Sequence, residues 1–254
     1  MIATETIGTL ATRLDNAQTS VADTPSLADT HTLDIDDAYG IQAALLARRA
    51  ARGEGSTGVK LGFTSKAKMA QMGVSEIIVG RLTDAMCVAD GGEVELARFI
   101  HPKVEPEVAF RLAQDVDTDA PDTDIAACVD AVAPALEIID SRYRDFRFTY
   151  EDVVADNTSA AGYVIGAWRP VQDVSDLPVR LHGGSREILG STAAILDGPS
   201  NALCALLDMA RRRRIPLRAG DVVLAGAATE AMPLTPGITT CEITGLGRVS
   251  VRSV

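Results

Sequence analysis

Cysteine and histidine are scarce in this sequence, and their scatter excludes several kinds of site. The 254 residues contain three histidines, which lie far apart, and no serine nucleophile motif accompanies them, so a Ser-His-Asp triad is not indicated. No two cysteines have the spacing of a zinc site, and a chain of this length needs no disulfides. We therefore expect reduced thiols in a cytoplasmic protein at all four cysteines: Cys87, Cys128, Cys204 and Cys241.

Long apolar runs and excess positive charge are also missing. No stretch approaches the ~20 apolar residues of a membrane span, and the N-terminus lacks the basic and apolar segments of a signal peptide. The formal net charge of -11 argues against nucleic acid or an anionic membrane as a partner. No Gly-x-Gly-x-x-Gly follows a predicted strand, and no Walker-type lysine is present, so nucleotide binding is unsupported.

Three glutamates give the strongest chemical signal in the chain. The segment His-Pro-Lys-Val-Glu-Pro-Glu-Val-Ala-Phe alternates as a strand does, so Glu105 and Glu107 project from one face. Glu137 lies in the apolar run 132–139, where a lone charge is costly without a partner. Mg²⁺ or Mn²⁺ prefers oxygen ligands and would satisfy all three carboxylates. On spacing alone a solvated strand face is the commoner outcome, and Pro106 restricts the strand to an edge or a bulge.

Three further positions are candidates for catalysis or substrate binding. Lys60 lies in the apolar segment Gly-Val-Lys-Leu-Gly-Phe, as either an exposed lysine or an ammonium that stabilises an enolate or handles a proton. The cluster Asp156-Asn157-Thr158-Ser159 is typical of a capped turn or of a substrate-binding loop. Arg142 follows the Glu137 segment and is suited to clamp a carboxylate or to form an exposed ion pair.

The hydrophobic pattern predicts an α+β fold, with helices clustered early and strands late. We expect an N-terminal helical region, 1–75, and a β-rich catalytic core, 76–254, in one compact unit. Predicted helices cover 4–18, 38–52 with a cap at Asp36 or Asp37, 66–72, 122–132, and a late segment capped by Ser200. Predicted strands cover 59–64, 104–112, 135–140, 163–165, 179–182, 187–189, 221–224, 240–244 and 249–252, with a hairpin at Gly183-Gly184.

Four blocks of the sequence resemble one known family. They are, in order, Gly-Val-Lys-Leu-Gly-Phe-Thr-Ser-Lys-Ala-Lys-Met-Ala-Gln-Met-Gly-Val, His-Pro-Lys-Val-Glu-Pro-Glu, Glu-Ile-Ile-Asp-Ser-Arg-Tyr-Arg-Asp-Phe and Val-Val-Ala-Asp-Asn-Thr-Ser. From about Asp36 to the end, the chain is similar to the 2-keto-4-pentenoate hydratase and 4-oxalocrotonate decarboxylase group of the fumarylacetoacetate hydrolase superfamily. The resemblance implies a mixed β-roll core with N-terminal helices, a Mg²⁺ or Mn²⁺ ion, and a small 2-oxo acid substrate from aromatic ring cleavage.

The same resemblance implies roles for individual residues. Glu105, Glu107 and Glu137 match the metal ligands of the group. Lys60 matches its active-site lysine, and Ser159 its substrate-contacting serine. A homo-oligomer, and association with a partner hydratase, are also expected.

One position favours a decarboxylase over a hydratase. Hydratases of the group carry an aspartate where this chain has Ile78, and decarboxylases carry an apolar residue there. A pocket without that carboxylate lacks a water activator and better tolerates a second substrate carboxylate. The resemblance thus implies decarboxylation of 2-oxo-3-hexenedioate, and we predict Arg142, Asn157 and Ile78 as substrate-binding residues.

Two alternatives stay open at this point. In the first, the chain is a hydratase of 2-hydroxypenta-2,4-dienoate in which Glu76 or Asp84 replaces the missing aspartate. In the second, it is a non-catalytic metal-binding subunit of a hydratase-decarboxylase complex, although the intact glutamates and Lys60 argue against an inactive scaffold.

Overall fold

The protein is seen in a computed structural model that describes residues 2–65, 69–70 and 73–254. The α-helices found there are α1 (Thr4–Thr19), α2 (Ile35–Ala51), α3 (Tyr150–Ala155) and α4 (Pro199–Arg213). The strands are β1 (Ser56–Gly62), β2 (Ile78–Thr83), β3 (Cys87–Val88), β4 (Glu93–Val94), β5 (Lys103–Leu112), β6 (Val129–Ile139), β7 (Ala160–Ile165), β8 (Arg169–Pro170), β9 (Pro178–Gly183), β10 (Arg186–Ser191), β11 (Val222–Ala227), β12 (Met232–Pro233), β13 (Gly237–Ile243) and β14 (Gly247–Ser253).

The helices α1, α2 and α3 form a layer with its own apolar core. Leu14 of α1, Ile41 of α2 and Val154 of α3 are fully buried in it. Ile78 joins this core from the start of β2. The helical layer therefore packs against the β region at a position that the sequence singles out.

The start of α2 differs from the prediction. The Asp34 side chain accepts a hydrogen bond from the Asp37 N–H, and the Asp37 side chain accepts one from the Asp34 N–H. This reciprocal arrangement is a capping box, so the helix begins at Ile35. The predicted cap at Asp36 or Asp37 is wrong, because Asp37 serves as the third residue of the box.

Two sheets carry most of the described chain. The larger one has the strand order β2-β1-β11-β5-β6-β7-β3, with β12 beside β5 and β8 beside β6. It is mixed, since β1 pairs with β11 and β3 with β7 in parallel, whereas β5 and β6 pair antiparallel. The smaller sheet has the order β10-β9-β13-β14-β4. These helices and mixed sheets confirm the α+β class. β1 lies inside the larger sheet, and the division of the chain at residue 75 stays a prediction.

Apolar side chains from both sheets and from α4 fill the main core. Val108 of β5, Leu136 of β6, Leu181 of β9 and Leu206 of α4 are fully buried in one cluster. A one-residue slip of a strand would turn such side chains away from the core, so the core fixes the register of β5 against β6. That register positions the predicted metal ligands.

Two further element predictions are corrected. The segment 122–132 was predicted to be a helix, but it forms a single 3-10 turn, Ala126–Cys128, and then enters β6. Its apolar spacing fits both the helical and the strand period, and pairing of residues 129–132 with β5 and β8 decides for the strand. The helix α4 begins after Gly198 with Pro199 in its first turn, so the predicted cap at Ser200 is also wrong. The predicted helix 66–72 falls largely outside the described residues.

The predicted hairpin is confirmed. β9 and β10 pair antiparallel, and Gly184 between them has a positive φ of 57°.

All four cysteines are free thiols. Over the residues that the structure describes, none of the helices has both the length and the apolar character of a membrane span. A cytoplasmic location stays a prediction.

Candidate active site

The register of the two central strands brings three carboxylates together. Glu105 of β5 lies directly opposite Glu137 of β6, and Glu107 is two residues further along β5 on the same face. One carboxylate oxygen from each of the three lies within 4.8 Å of the others. Glu107 and Glu137 are fully buried, and Glu105 is partly exposed at a cavity. The predicted trio is therefore one cluster in space.

A bulge in the neighbouring strand shapes this cluster. The pairing of β11 with β5 shifts between Leu224 and Ala227, close to Pro106, as a proline within a strand requires. Gly226 lies in the bulge with a φ of 111°, and its N–H donates to Glu107 Oε2 at 2.8 Å. A Cβ on Gly226 would lie 2.0 Å from Thr64 Oγ1, so only glycine fits here. The bulge thus orients one of the three carboxylates.

Lys60 is the cation of the cluster. It lies in β1 with 3% of its surface exposed, and its Nζ is 2.9 Å from Glu137 Oε2. The ammonium also donates to the Thr158 carbonyl at 3.2 Å. Burial by itself lowers the pKa of Lys60, but the carboxylates outweigh it and raise that pKa above its usual value. Lys60 therefore carries its charge in a dry, acidic environment, and the alternative of an exposed strand lysine is wrong.

The pKa values of two carboxylates in the cluster are raised. Burial raises the pKa of Glu137 to about 7, although Lys60 opposes this. Burial and the nearby Glu137 raise the pKa of Glu107 well above its usual value. Perturbation of this kind is concentrated at functional sites.

The chemistry of the donor set fits a hard divalent cation. When the three carboxylates are ionised, no described residue donates a hydrogen bond to Glu107 Oε1 or to Glu137 Oε1, and both atoms are buried. Buried polar atoms without a partner are rare in proteins, because each carries an uncompensated desolvation penalty. Glu105, Glu107 and Glu137 supply only carboxylate oxygens, the ligand type that Mg²⁺ and Mn²⁺ prefer.

A cavity of about 560 Å³ opens beside this cluster. Its polar wall includes Lys60, Glu105 and Ser159. Its apolar wall is formed by residues from both layers of the fold: Phe63, Ile78, Ile139, Phe146, Phe148 and Val153. The structure therefore brings four of the predicted site residues to one cavity, and the other two predicted metal ligands, Glu107 and Glu137, are buried in the same cluster as Glu105.

Arg142 and Asn157 are not among the residues that line the cavity. Arg142 is 1% exposed, and its guanidinium is engaged by Asp156 and by backbone carbonyls. The Asn157 side chain bonds to the backbone of Arg81. The geometry therefore does not support direct clamping of the substrate by either side chain.

The two acids considered as substitutes for the missing aspartate also lie elsewhere. Glu76 forms an exposed ion pair with Arg212 at 2.5 Å. Asp84 accepts a hydrogen bond from the Gly55 N–H at 2.9 Å. Neither lines the cavity, so neither stands beside Ile78 as an acid.

Sequence reasoning missed several residues of the site. Phe146 and Phe148 form part of the apolar wall, and Lys103 lies over the Phe146 ring at 4.0 Å from its centroid. Two features of the sequence could have identified these residues: the i, i+2 spacing of Phe146 and Phe148, and the i, i+2 spacing of Lys103 and Glu105. Gly226 was also missed, although a glycine inside an apolar strand often marks a bulge or a close approach.

Comparisons with known proteins place this site in context. No family model matches the chain. The chain is 47% identical over 247 residues to a 4-oxalocrotonate decarboxylase from Pseudomonas sp, covering 96% of each protein. It is 38% identical to a 2-keto-4-pentenoate hydratase from Paraburkholderia xenovorans (strain LB400), covering 85% of this chain and 83% of the relative.

Solved structures agree with these relatives. A 4-oxalocrotonate decarboxylase from Pseudomonas putida G7, complexed with magnesium and adipate, matches with a TM-score of 0.93 and 34% identity, over 100% of this chain and 99% of that chain. A structure described as a fumarylacetoacetate hydrolase family protein from Yersinia pestis CO92 matches with a TM-score of 0.59 and 16% identity, over 78% and 93%. The latter likeness concerns the fold alone, and it confirms the predicted fold type.

Both relatives are lyases, and each covers most of the chain. The chain is therefore a lyase that belongs to the family of 4-oxalocrotonate decarboxylases and 2-keto-4-pentenoate hydratases.

Proposed function

We propose that this chain decarboxylates 2-oxo-3-hexenedioate (4-oxalocrotonate) to 2-hydroxypenta-2,4-dienoate, with Mg²⁺ or Mn²⁺, in the catabolism of aromatic ring-cleavage products. The observation that carries the proposal is the carboxylate trio next to buried Lys60, beside a cavity whose wall includes Ile78. Within the trio, Glu107 and Glu137 each have a buried oxygen without a hydrogen-bond donor among the described residues. The 47% identity to a 4-oxalocrotonate decarboxylase supports it.

Glu105, Glu107 and Glu137 would hold the ion. When bound, a divalent cation supplies Lewis acidity to the 2-oxo group and an anchor for the neighbouring C1 carboxylate. The magnesium in the structure of the Pseudomonas putida G7 decarboxylase supports this assignment.

Lys60 supplies positive charge where negative charge develops. When the bond to the distal carboxylate breaks, CO₂ leaves and the electron pair moves through the conjugated system to the 2-oxygen. The buried ammonium stabilises this dienolate more strongly than it would in water, because its environment is dry and its position is fixed. Protonation of the oxygen then gives 2-hydroxypenta-2,4-dienoate.

The remaining cavity residues select the chemistry. Ser159 lines the cavity and would contact the substrate there. Ile78, Phe148 and Val153 form an apolar surface, next to which a substrate carboxylate is poorly solvated, so its loss as neutral CO₂ is favoured. Because Ile78 carries no acid, this part of the cavity does not activate water for addition to the diene.

The ratio of kcat/KM for the two substrates tests the proposal. Purified protein with Mg²⁺ is given 2-oxo-3-hexenedioate or 2-hydroxypenta-2,4-dienoate, while CO₂ release and the dienoate chromophore are followed. We expect the ratio to favour the dicarboxylate, and excess EDTA to abolish turnover. A ratio favouring the dienoate would make the chain a hydratase, and full activity in EDTA would remove the metal from the mechanism.

A homo-oligomer and a complex with a partner hydratase complete the proposal. Light scattering of the purified chain, alone and with the hydratase, measures both. A mass of one chain for the protein alone would contradict the homo-oligomer. Masses that do not change on mixing with the hydratase would contradict the complex.

A further inference from the structure

Three consecutive residues beside the cavity have left-handed backbone conformations. Asn157, Thr158 and Ser159, which we call the 157–159 turn, have φ values of 50°, 53° and 60°. Asparagine tolerates this region, but a β-branched residue such as Thr158 is a genuine outlier there. Strained backbone of this kind persists only where surrounding contacts hold it, and it is concentrated at functional sites.

The first set of holding contacts comes from β2. Asn157 Oδ1 accepts a hydrogen bond from the Arg81 N–H at 2.8 Å, and Asn157 Nδ2 donates to the Arg81 carbonyl at 2.9 Å. Gly80 permits this approach, since a Cβ there would lie 2.1 Å from Thr158 Oγ1 and 2.7 Å from the Asn157 carbonyl oxygen. A larger residue at position 80 would therefore push the turn away from the strand.

The second set comes from the buried Arg142 side chain. Its guanidinium forms an ion pair with Asp156, directly before the turn, and donates to the Ala160 carbonyl at 3.2 Å, directly after it. It also donates to the Asp140 carbonyl at 2.8 Å. Arg142 and Asp156 are 1% and 0% exposed, so charge-assisted bonds in a dry environment fix both ends of the turn.

The turn held in this way aims one carbonyl at the reacting region. The Thr158 carbonyl accepts from Lys60 Nζ at 3.2 Å, while Glu137 Oε2 lies 2.9 Å from the same nitrogen. Two acceptors on different elements thus fix the ammonium in the cavity wall. A free lysine side chain, with its four rotatable bonds, would otherwise sample several positions.

We infer that four residues outside the cavity wall hold the Thr158 carbonyl, and through it the Lys60 ammonium, in the catalytic position: Gly80, Arg142, Asp156 and Asn157. They are positioning residues, and this role replaces the substrate contacts predicted for Arg142 and Asn157. The inference rests on the proposed function, in which Lys60 stabilises developing negative charge.

Gly80→Ala tests the inference without replacing Lys60 or any carboxylate, although the new Cβ would also lie 3.1 Å from Lys60 Cδ. The added methyl group displaces the 157–159 turn, so kcat for 2-oxo-3-hexenedioate should fall by about 10-fold or more, since misplacement by about 1 Å costs up to 10²-fold. KM should change much less than kcat. Mn²⁺ affinity, measured by calorimetry, should stay at the wild-type value because the three glutamates are untouched.

Gly162→Ala is the matched control. Gly162 is a buried glycine of β7 in the same sheet, and a Cβ there would meet only the Ile138 side chain, at 3.3 Å and 3.4 Å, and the Met86 carbonyl, at 3.6 Å. We expect wild-type kcat from this variant. A loss equal to that of Gly80→Ala would mean that any added methyl group in the sheet impairs turnover, and would overturn the inference.

Retention of wild-type kcat by Gly80→Ala would also overturn it. Asn157→Gly makes the same test without a new contact to Lys60, also where Gly80→Ala does not fold, because it removes both hydrogen bonds to the Arg81 backbone while glycine keeps the positive φ at no steric cost. We expect a folded protein with a similar loss of kcat, and unchanged kcat would overturn the inference. Wild-type protein that releases no CO₂ would instead contradict the proposed function, so the two failures are distinguishable.

Discussion

The structure contains two buried charge clusters: a carboxylate cluster of Lys60, Glu105, Glu107 and Glu137, and an arginine cluster of Arg142 and Asp156. They differ in how many of their polar atoms have hydrogen-bond partners. In the arginine cluster, Arg142 donates to the Asp156 carboxylate and to backbone carbonyls, and Asp156 also accepts from the Arg142 N–H at 3.0 Å. In the carboxylate cluster, Lys60 Nζ lies 2.9 Å from Glu137 Oε2.

The two clusters differ in whether they contain buried carboxylate oxygens without a hydrogen-bond donor. Among residues 2–65, 69–70 and 73–254, no donor reaches Glu107 Oε1 or Glu137 Oε1. Burial raises the pKa of Glu137 to about 7 and that of Asp156 to about 6, so both acids are perturbed. Neither burial nor a shifted pKa therefore separates a functional cluster from a structural one. Buried carboxylate oxygens that lack a donor and lie near a cavity do distinguish the functional cluster.

The largest effect should follow from removing one ligand of the carboxylate cluster. Glu107→Gln keeps an oxygen that can accept from the Gly226 N–H, but it removes one negative ligand, so metal-dependent decarboxylation should be lost. The unfolding free energy of the metal-free protein should not fall, because a neutral amide replaces a buried carboxyl group. Steady-state kinetics and chemical denaturation measure the two quantities.

Glu242→Gln, at an exposed glutamate of β13, is the control for that change and should behave as wild type. If Glu107→Gln keeps its activity, or unfolds as readily as a core variant, the distinction between the two clusters fails.

The opposite pattern is expected for the arginine cluster. Asp156→Asn leaves the buried Arg142 without its counter-charge, so the free energy of unfolding should fall by about 3–5 kcal/mol. Mn²⁺ affinity of the folded protein should stay unchanged. Asp130→Asn breaks the exposed pair with Arg111 and should leave the free energy of unfolding close to the wild-type value, because solvent screens exposed pairs. Equal losses in the two variants would contradict the structural role of the buried pair.

Lys60→Met tests the role of the ammonium group in the carboxylate cluster. Loss of the ammonium removes electrostatic stabilisation of the dienolate, so kcat should fall by about 10²-fold or more. Single-substrate kinetics with saturating Mg²⁺ check this value. A change in KM alone would show that Lys60 only binds the substrate.

The pH dependence of metal binding should show the smallest effect. The pKa of Glu137 rises from 4.5 to about 7, so the metal-free folded protein holds a proton that the unfolded chain releases. Its stability therefore falls as pH rises through this window. A metal ion must displace the proton, so Mn²⁺ affinity should increase with pH up to about 7, by up to about tenfold per unit for each proton released. Calorimetric titrations across this range would contradict the account if affinity stayed constant.

Some of this site was predictable from local sequence. The i, i+2 spacing of Glu105 and Glu107, and the placement of Glu137 in an apolar run, point to one cluster on a strand face, and the family resemblance favours this over a solvated face. Lys60 could be named for the same reason, since a charge in an apolar strand requires a partner. These predictions depend on period-2 alternation, which survives any change in tertiary context.

Other features depend on contacts that the sequence does not encode locally. The role of Arg142 is decided by Asp156, 14 residues away, and by which carbonyls surround both. The segment 122–132 has apolar spacing that fits a helix, yet pairing between two strands makes its end part of β6. The left-handed conformation of Thr158 could not be predicted, because a β-branched residue disfavours it.

Metal titration of the metal-free protein tests the central claim most directly. Calorimetry with Mn²⁺ on wild type and on Glu107→Gln, each shown by circular dichroism to be folded, gives the stoichiometry. The account predicts one ion per wild-type chain and no binding to Glu107→Gln at the same concentrations. Absence of binding to wild type, or equal binding to both proteins, would contradict the claim that Glu105, Glu107 and Glu137 form a metal centre.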